Sequence, residues 1–296
     1  EILLKALPPE LDNSKTDDDF GDFIYAPFNE FVATYGLTEK DLDFSLDAIY
    51  EMTKRFSAED AIRYFINKFP SETLNRLFIW SEDKNYHVRR LCSEGTRAKL
   101  PWSQKIILNY KEPIQILDKL YSDKTRYVTR SVANHLNDIS KNDPEFVIQI
   151  LEKWIQLNKK NKKLNEKPFQ TEDELDFIVK HALRTLVKNG DKAALKLLGI
   201  SPEVKIKIGK FTFTKQVEMS KNLEFSFNIS ALENCSIVLD YIIFFQNHLG
   251  SLKSKKVFKI KNLKLEKKKV IKIEKKHPMR SEMTTRKLFR GKHKLL

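Results

Sequence analysis

The hydrophobic period of this chain changes once, near Gly199, and that change limits the architectures open to it. Upstream, apolar residues recur every three or four positions, the period of amphipathic helices. Downstream they alternate with polar ones: Leu223, Phe225, Phe227 and Ile229 form one series, Ile206 with Ile208 and Ile271 with Ile273 two shorter ones. That is the signature of strands with one buried face. The apolar run at 237–245 suits a central strand. A helix-period sequence does not settle as a strand, so the 296 residues predict two domains, all-α over 1–200 and a small β-sandwich over 204–296. The alternation is still running at Leu295 and Leu296, so the sandwich is expected to be truncated at its end.

Within the helical part, Thr38, Ser57 and Thr171 each precede an acid by three residues, a helix-start pattern. Asp143 followed by Pro144 is another start, with the Asp oxygen as cap and Pro in the first turn. Three segments are weakly similar when aligned on Val88, Val128 and Val179, at spacings of 40 and 51 residues. The first spacing is that of HEAT repeats, and the second is expected to be lengthened by a polar insertion at 158–167, which predicts an all-α HEAT-like-repeat solenoid. An ordinary helical bundle is the alternative. In the first segment Val88, Leu91, Cys92 and Gly95 form a packing stripe, while Arg90, Glu94 and Arg97 fall on another face. Arg130, Asn134 and Asn137 hold the equivalent positions in the second segment, His181, Thr185 and Lys188 in the third. Stacking is expected to align these sets outward on one concave surface.

Charge suggests what that surface meets. Residues 1–60 carry a net −10, residues 61–200 +9 and residues 201–296 +15. Two successive basic segments fit a polyanion such as DNA, although a basic face kept for solubility gives the same balance. No stretch approaches the roughly 18 uninterrupted apolar residues of a membrane span. The chain opens at Glu1 with no leader-like segment and reads as a trimmed piece of a cytoplasmic, monomeric protein. Cys92 and Cys235 lack partners at metal-ligand spacing and are expected to be buried free thiols.

Only 8 glycines occur, none in a phosphate-cradling loop, and no HExxH, CxxC or GxSxG is present, which disfavours nucleotide and zinc hydrolysis and implies neither metal nor cofactor. What remains is a carboxylate in a basic groove. Glu94 lies between Arg90 and Arg97; their charges would keep it ionised, able to stabilise a cationic transition state or to orient water. Simple helical ion pairing would explain the same spacing. Trp80 and Trp102 bracket this helix as candidate stacking platforms, Trp80 leaning towards the core, and Trp154 fits the apolar pattern of its own helix. His181 reads as a polar groove contact. Asp176, near Asp173 and Glu174, is a second candidate acid, with helix capping the simpler explanation.

The stretch Trp80-Ser81-Glu82-Asp83, Val88 through Arg97, and Leu100-Pro101-Trp102 resembles the AlkC branch of the HEAT-like-repeat alkylpurine DNA glycosylases. The segments 131–138 and 181–186 resemble later parts of that branch. Cys92 and Lys99 depart from the branch's usual residues. The resemblance implies an immunoglobulin-like sandwich after the repeats. It further implies an enzyme that excises cationic alkylated bases, chiefly 3-methyladenine and similar N3 lesions, from duplex DNA without flipping them into a pocket. Glu94 and then Asp176 become the expected catalytic acids. Arg90, Arg97, Arg130, Arg184 and Lys188 are expected on phosphates, Asn134 and His181 in the groove, and Trp102 by the lesion strand. A non-catalytic DNA-binding or protein-interaction scaffold is the competing expectation.

Overall fold

The computed structural model describes residues 2–12, 14, 20–201, 203–281 and 287–296. The helices in order are α1 (Ile2–Lys5), α2 (Ala26–Tyr35), α3 (Leu42–Thr53), α4 (Ala61–Lys68), α5 (Pro70–Trp80) and α6 (Tyr86–Glu94). They continue with α7 (Ile114–Leu120), α8 (Arg126–Ile139), α9 (Pro144–Leu164), α10 (Glu172–Ala182), α11 (Arg184–Lys188) and α12 (Lys192–Leu197). Among the described residues six strands follow: β1 (Ile206–Phe213), β2 (Asn222–Ala231), β3 (Cys235–Phe245), β4 (Ser254–Leu265), β5 (Ile271–Pro278) and β6 (Lys294–Leu295). The chain divides into two compact units, 1–186 and 187–296, with the boundary inside α11.

In the helical unit the three similar segments are α6, α8 and α10, and they pack in that order. The repeat stripe supplies the core between them: Val88, Leu91, Cys92, Val128, Val132, Leu136, Ile178 and Ala182 are all fully buried. Two expected caps form as read, Asp143 accepting from the Phe146 amide at 3.1 Å and Thr171 from the Glu174 amide at 3.3 Å. Ser57 does not cap: α4 starts after Asp60, and the Ser57 hydroxyl donates to Glu59 at 2.7 Å instead. The polar run at 158–167 takes the form of a longer helix and the turn after it. α9 covers its first part, to Leu164, and is capped at Asn165, whose φ of 55° turns the chain. One amide at its start faces inward: buried Asn158 clasps the Gln170 backbone through two hydrogen bonds.

In the strand unit, β1–β2–β5 and β4–β3–β6 form two antiparallel three-stranded sheets. Their core joins Phe225, Phe227 and Ile229 of β2 to Ile237, Leu239, Tyr241, Ile243 and Phe245 of β3. Both series alternate in burial, as period-2 patterning requires. On β1, by contrast, Ile206, Ile208, Phe211 and Phe213 all stay exposed. Cys92 is buried as expected, but Cys235, at the start of β3, is only half-buried; both thiols are free.

Candidate functional site

Helix α6 carries the central residues. Asn85 caps it by accepting from the His87 amide at 2.9 Å, and Gly95 ends it. A Cβ at Gly95 would come within 2.5 Å of Ile62, so glycine is what lets α4 pack against this helix end.

The expected outward stripe is not outward. Arg90 and Glu94 are 6% and 3% exposed, and the Arg97 side chain is 11% exposed. The reason is partners supplied by remote segments, which spacing within one helix cannot reveal. Glu94 accepts from Arg97 Nη1 at 2.5 Å on one carboxylate oxygen and from Ser131 Oγ of α8 at 2.6 Å on the other, with Arg90 at 3.9 Å. Arg90 donates to Glu59 at 2.6 Å and to Ser57 at 2.9 Å. Its guanidinium also lies over the rings of Tyr127, at 4.4 Å, and Phe20, at 5.0 Å. Arg97 turns its remaining donors to Asp138, at 2.9 and 2.6 Å, and Lys141 reaches the same acid at 2.8 Å.

The electrostatic outcome for Glu94 is as expected from its neighbours. Burial alone would raise its pKa, but the Arg90 and Arg97 charges and the hydrogen bonds from Ser131 and Arg97 hold it below the ordinary carboxylate range. Three carboxylates, Glu59, Glu94 and Asp138, thus meet three cations, Arg90, Arg97 and Lys141, so the network is balanced in charge. Below it, the His135 ring contacts the Ser93 carbonyl at 3.1 Å; a carbonyl only accepts, so Nδ1 carries the proton. Burial and the nearby Arg97 push His135 down to about 4.

A second cluster joins α8 to α10 and α11. Asn134 Oδ1 accepts from Arg184 at 3.0 Å and from His181 Nε2 at 2.9 Å. His181 stacks on Phe177 with the ring planes 15° apart, and Arg126 covers the same Phe177 at 3.7 Å. Burial, then Arg184, Arg130 and Arg126, push His181 down to about 4, leaving it neutral near pH 7. Half-buried Arg130 sits one turn before Asn134 on α8.

The remaining candidates fall elsewhere. Asp176 is 70% exposed and pairs with Lys180 at 3.0 Å, on the rim of an open depression of about 380 Å³ shared with Phe177, His181 and Arg184. It does not join Glu94; Glu59 and Asp138 do. Trp102 is 63% exposed, whereas Trp80 and Trp154 are buried, Trp154 donating to Asp118 at 2.6 Å. Lys188 belongs to the strand unit, where its charge acts on Asp240. Glu59, Ser131 and Asp138 are the residues the sequence reading missed. The available signal was charge balance, since arginines in a packed seam need acids. Among the described residues no cluster of His, Cys, Asp or Glu is placed to hold a metal ion, and no helix is long and apolar enough to cross a membrane.

A stacked helical-repeat unit with an ionised buried carboxylate in a basic framework, joined to an immunoglobulin-like sandwich, is the architecture of a DNA alkylation-repair protein. The model of the DNA alkylation repair enzyme family matches residues 32–173, and that of the C-terminal Ig-like domain of YhaZ matches 207–296. Uncharacterized protein YhaZ of Bacillus subtilis (strain 168) is 35% identical over 272 residues, which cover 90% of this chain and 71% of YhaZ. The alkylpurine DNA glycosylase AlkC of Pseudomonas fluorescens, solved bound to DNA containing an abasic site analog, superposes with a TM-score of 0.81 at 35% identity. That match covers 92% of this chain and 73% of the AlkC chain. This chain belongs to the AlkC branch of the HEAT-like-repeat DNA alkylation-repair family.

Proposed function

We propose that this protein is a DNA glycosylase that hydrolyses the N-glycosidic bond of cationic alkylated bases, 3-methyladenine and similar N3 lesions, in duplex DNA without flipping the lesion out. The observation that carries this reading is Glu94: ionised, desolvated and fixed by Ser131 and Arg97. An alkylated base that already bears a positive charge leaves as a neutral molecule, taking the bonding electron pair and leaving the cation on the sugar. A preorganised negative charge favours that transition state, and a low-dielectric setting strengthens it. Water then adds to the sugar cation and passes its proton to solvent. Its burial in a fixed network supports Glu94 in this part over Asp176, which is exposed and paired with Lys180.

Arg90 and Arg97 serve in this reading as the charges that keep Glu94 ionised. Arg130, Asn134, His181 and Arg184 hold the duplex backbone, Trp102 packs by the lesion strand, and Lys188 adds to the basic strand unit. The protein acts as a cytoplasmic monomer and uses no cofactor. Incubation with methylated duplex, followed by chromatography of the released bases, tests the reading. Free 3-methyladenine is expected; tight duplex binding with no base released would favour the non-catalytic scaffold.

A further inference from the structure

Between α6 and α7 the chain runs through residues 95–113 without helix or strand, long for a connection inside a packed repeat unit. It carries the exposed Trp102 and, further on, Ile107 at 89% exposure. Yet it is tied down along its length by one face of α4 and the residue before it. The Ser103 hydroxyl donates to the Asp60 carboxylate. Arg63, with no solvent exposure at all, donates to the carbonyls of Gly95 at 3.1 Å, Arg97 at 2.8 Å and Gln104 at 2.7 Å. Asn67 donates to the Lys105 carbonyl at 2.9 Å and accepts from the Ile107 amide at 2.8 Å. Positions 60, 63 and 67 recur at helical spacing and so face the segment together. From the other side, Leu100 is buried in the core.

Nothing about filling space calls for an arginine at position 63. Burial weakens its charged form, and its Nη2 has no hydrogen-bond partner among the described residues. Replacing a buried charge by an apolar side chain of similar volume often leaves a protein as stable or more so. What the guanidinium does and an apolar chain cannot is join the carbonyls of Gly95 and Arg97 to that of Gln104. Gly95 and Arg97 follow directly on Glu94, and Gln104 lies two residues past Trp102.

We propose that Arg63 and Asn67 are positioning residues that fix Trp102 relative to Glu94 by clamping the segment at 95–107 onto α4. The proposal rests on the glycosylase reading for its kinetic consequence but not for its structural one. A misplacement of about 1 Å at a reacting centre can cost up to ~100-fold in rate, so loosening the clamp is expected to slow base release with little change in DNA affinity.

The test is a double-mutant cycle between Asn67→Ala and Trp102→Ala, measured as single-turnover release of 3-methyladenine, with affinity for an abasic duplex recorded alongside. Asn67 is chosen because it lies at the edge of the clamp; Arg63→Gln is a second variant that keeps a donor. Asn67→Ala alone is expected to slow release about tenfold with affinity changed less than about threefold, and to add no further loss in the Trp102→Ala background. Additive losses, or an unchanged rate in both clamp variants, would overturn the proposal. Iodide quenching supplies a readout independent of activity, because Trp80 and Trp154 are buried and Trp102 alone is open to the quencher. Quenching of Trp102 should change in Asn67→Ala, and no change would also overturn the clamp. A wild-type protein that released no base would remove the glycosylase reading, and the quenching result would then decide the clamp by itself.

Discussion

The Ser131 hydroxyl of one repeat donates to the Glu94 carboxylate of the preceding one at 2.6 Å, while the Ser93 hydroxyl lies 2.9 Å from the same Ser131 oxygen. A hydroxyl has one proton to give. The Glu94 and Ser93 oxygens therefore compete for the single Ser131 proton, and the charged carboxylate, the nearer and stronger acceptor, takes it.

Glu94→Gln keeps the shape of the side chain and removes its charge. It is expected to slow single-turnover release of 3-methyladenine by roughly 100- to 1,000-fold, the range found when one preorganised electrostatic group is removed. Binding to the methylated duplex should stay the same or tighten, since a negative charge that opposes the phosphates has gone from the protein interior. An unchanged release rate would take Glu94 out of the mechanism.

Arg97→Met strips the shared partner from Glu94 and Asp138. Breaking a buried ion pair from one side typically costs about 3–5 kcal/mol, so the urea midpoint should fall markedly. Asp176→Asn is the control: that acid is 70% exposed, and exposed pairs contribute about 0–1 kcal/mol. Similar midpoints for the two variants would mean that the buried network carries no stability.

His135 and His181 are each pushed from 6.5 down to about 4 in the fold. The unfolded chain therefore takes up protons at these sites before the folded one does, and stability falls as pH drops from about 6.5 towards 4. At neutral pH both rings are uncharged in either state and this penalty is absent. Chemical denaturation between pH 4 and 7 should show the decline, and His135→Gln should flatten part of it. An equally steep decline in the variant would remove His135 as a source.

The net +15 of residues 201–296 predicts that the strand unit strengthens DNA binding. Affinity should fall steeply and log-linearly with salt, and the slope should shrink when residues 204–296 are deleted. Equal slopes with and without these residues, in a deletion variant whose circular dichroism shows intact helices, would separate that charge from DNA.

The fold could be read from the sequence because periodicity is local. Val88, Leu91 and Cys92 mark a packed face whatever they pack against, and the alternation through Phe225, Phe227 and Ile229 marks a strand without reference to its neighbour. The site was only half legible for the opposite reason. Glu94 stands out because Arg90 and Arg97 lie within one helix, but their orientation depends on Glu59 and Asp138, which lie 35 residues before and 44 after it in the chain. Asp176 drew attention by its place in a repeat, and a single turn of α10 pairs it with Lys180 instead.

The placement of Ser131 also bears on how the protein matures. Helical repeats fold by local nucleation and outward spread, each unit leaning on the next. Helix α6 can form early and bring its arginines with it, but Glu94 acquires its second anchor only when α8 docks. The same docking brings Arg130 and Asn134 into place, so the grip on DNA and the competence for chemistry arrive together, as a by-product of finishing the stack.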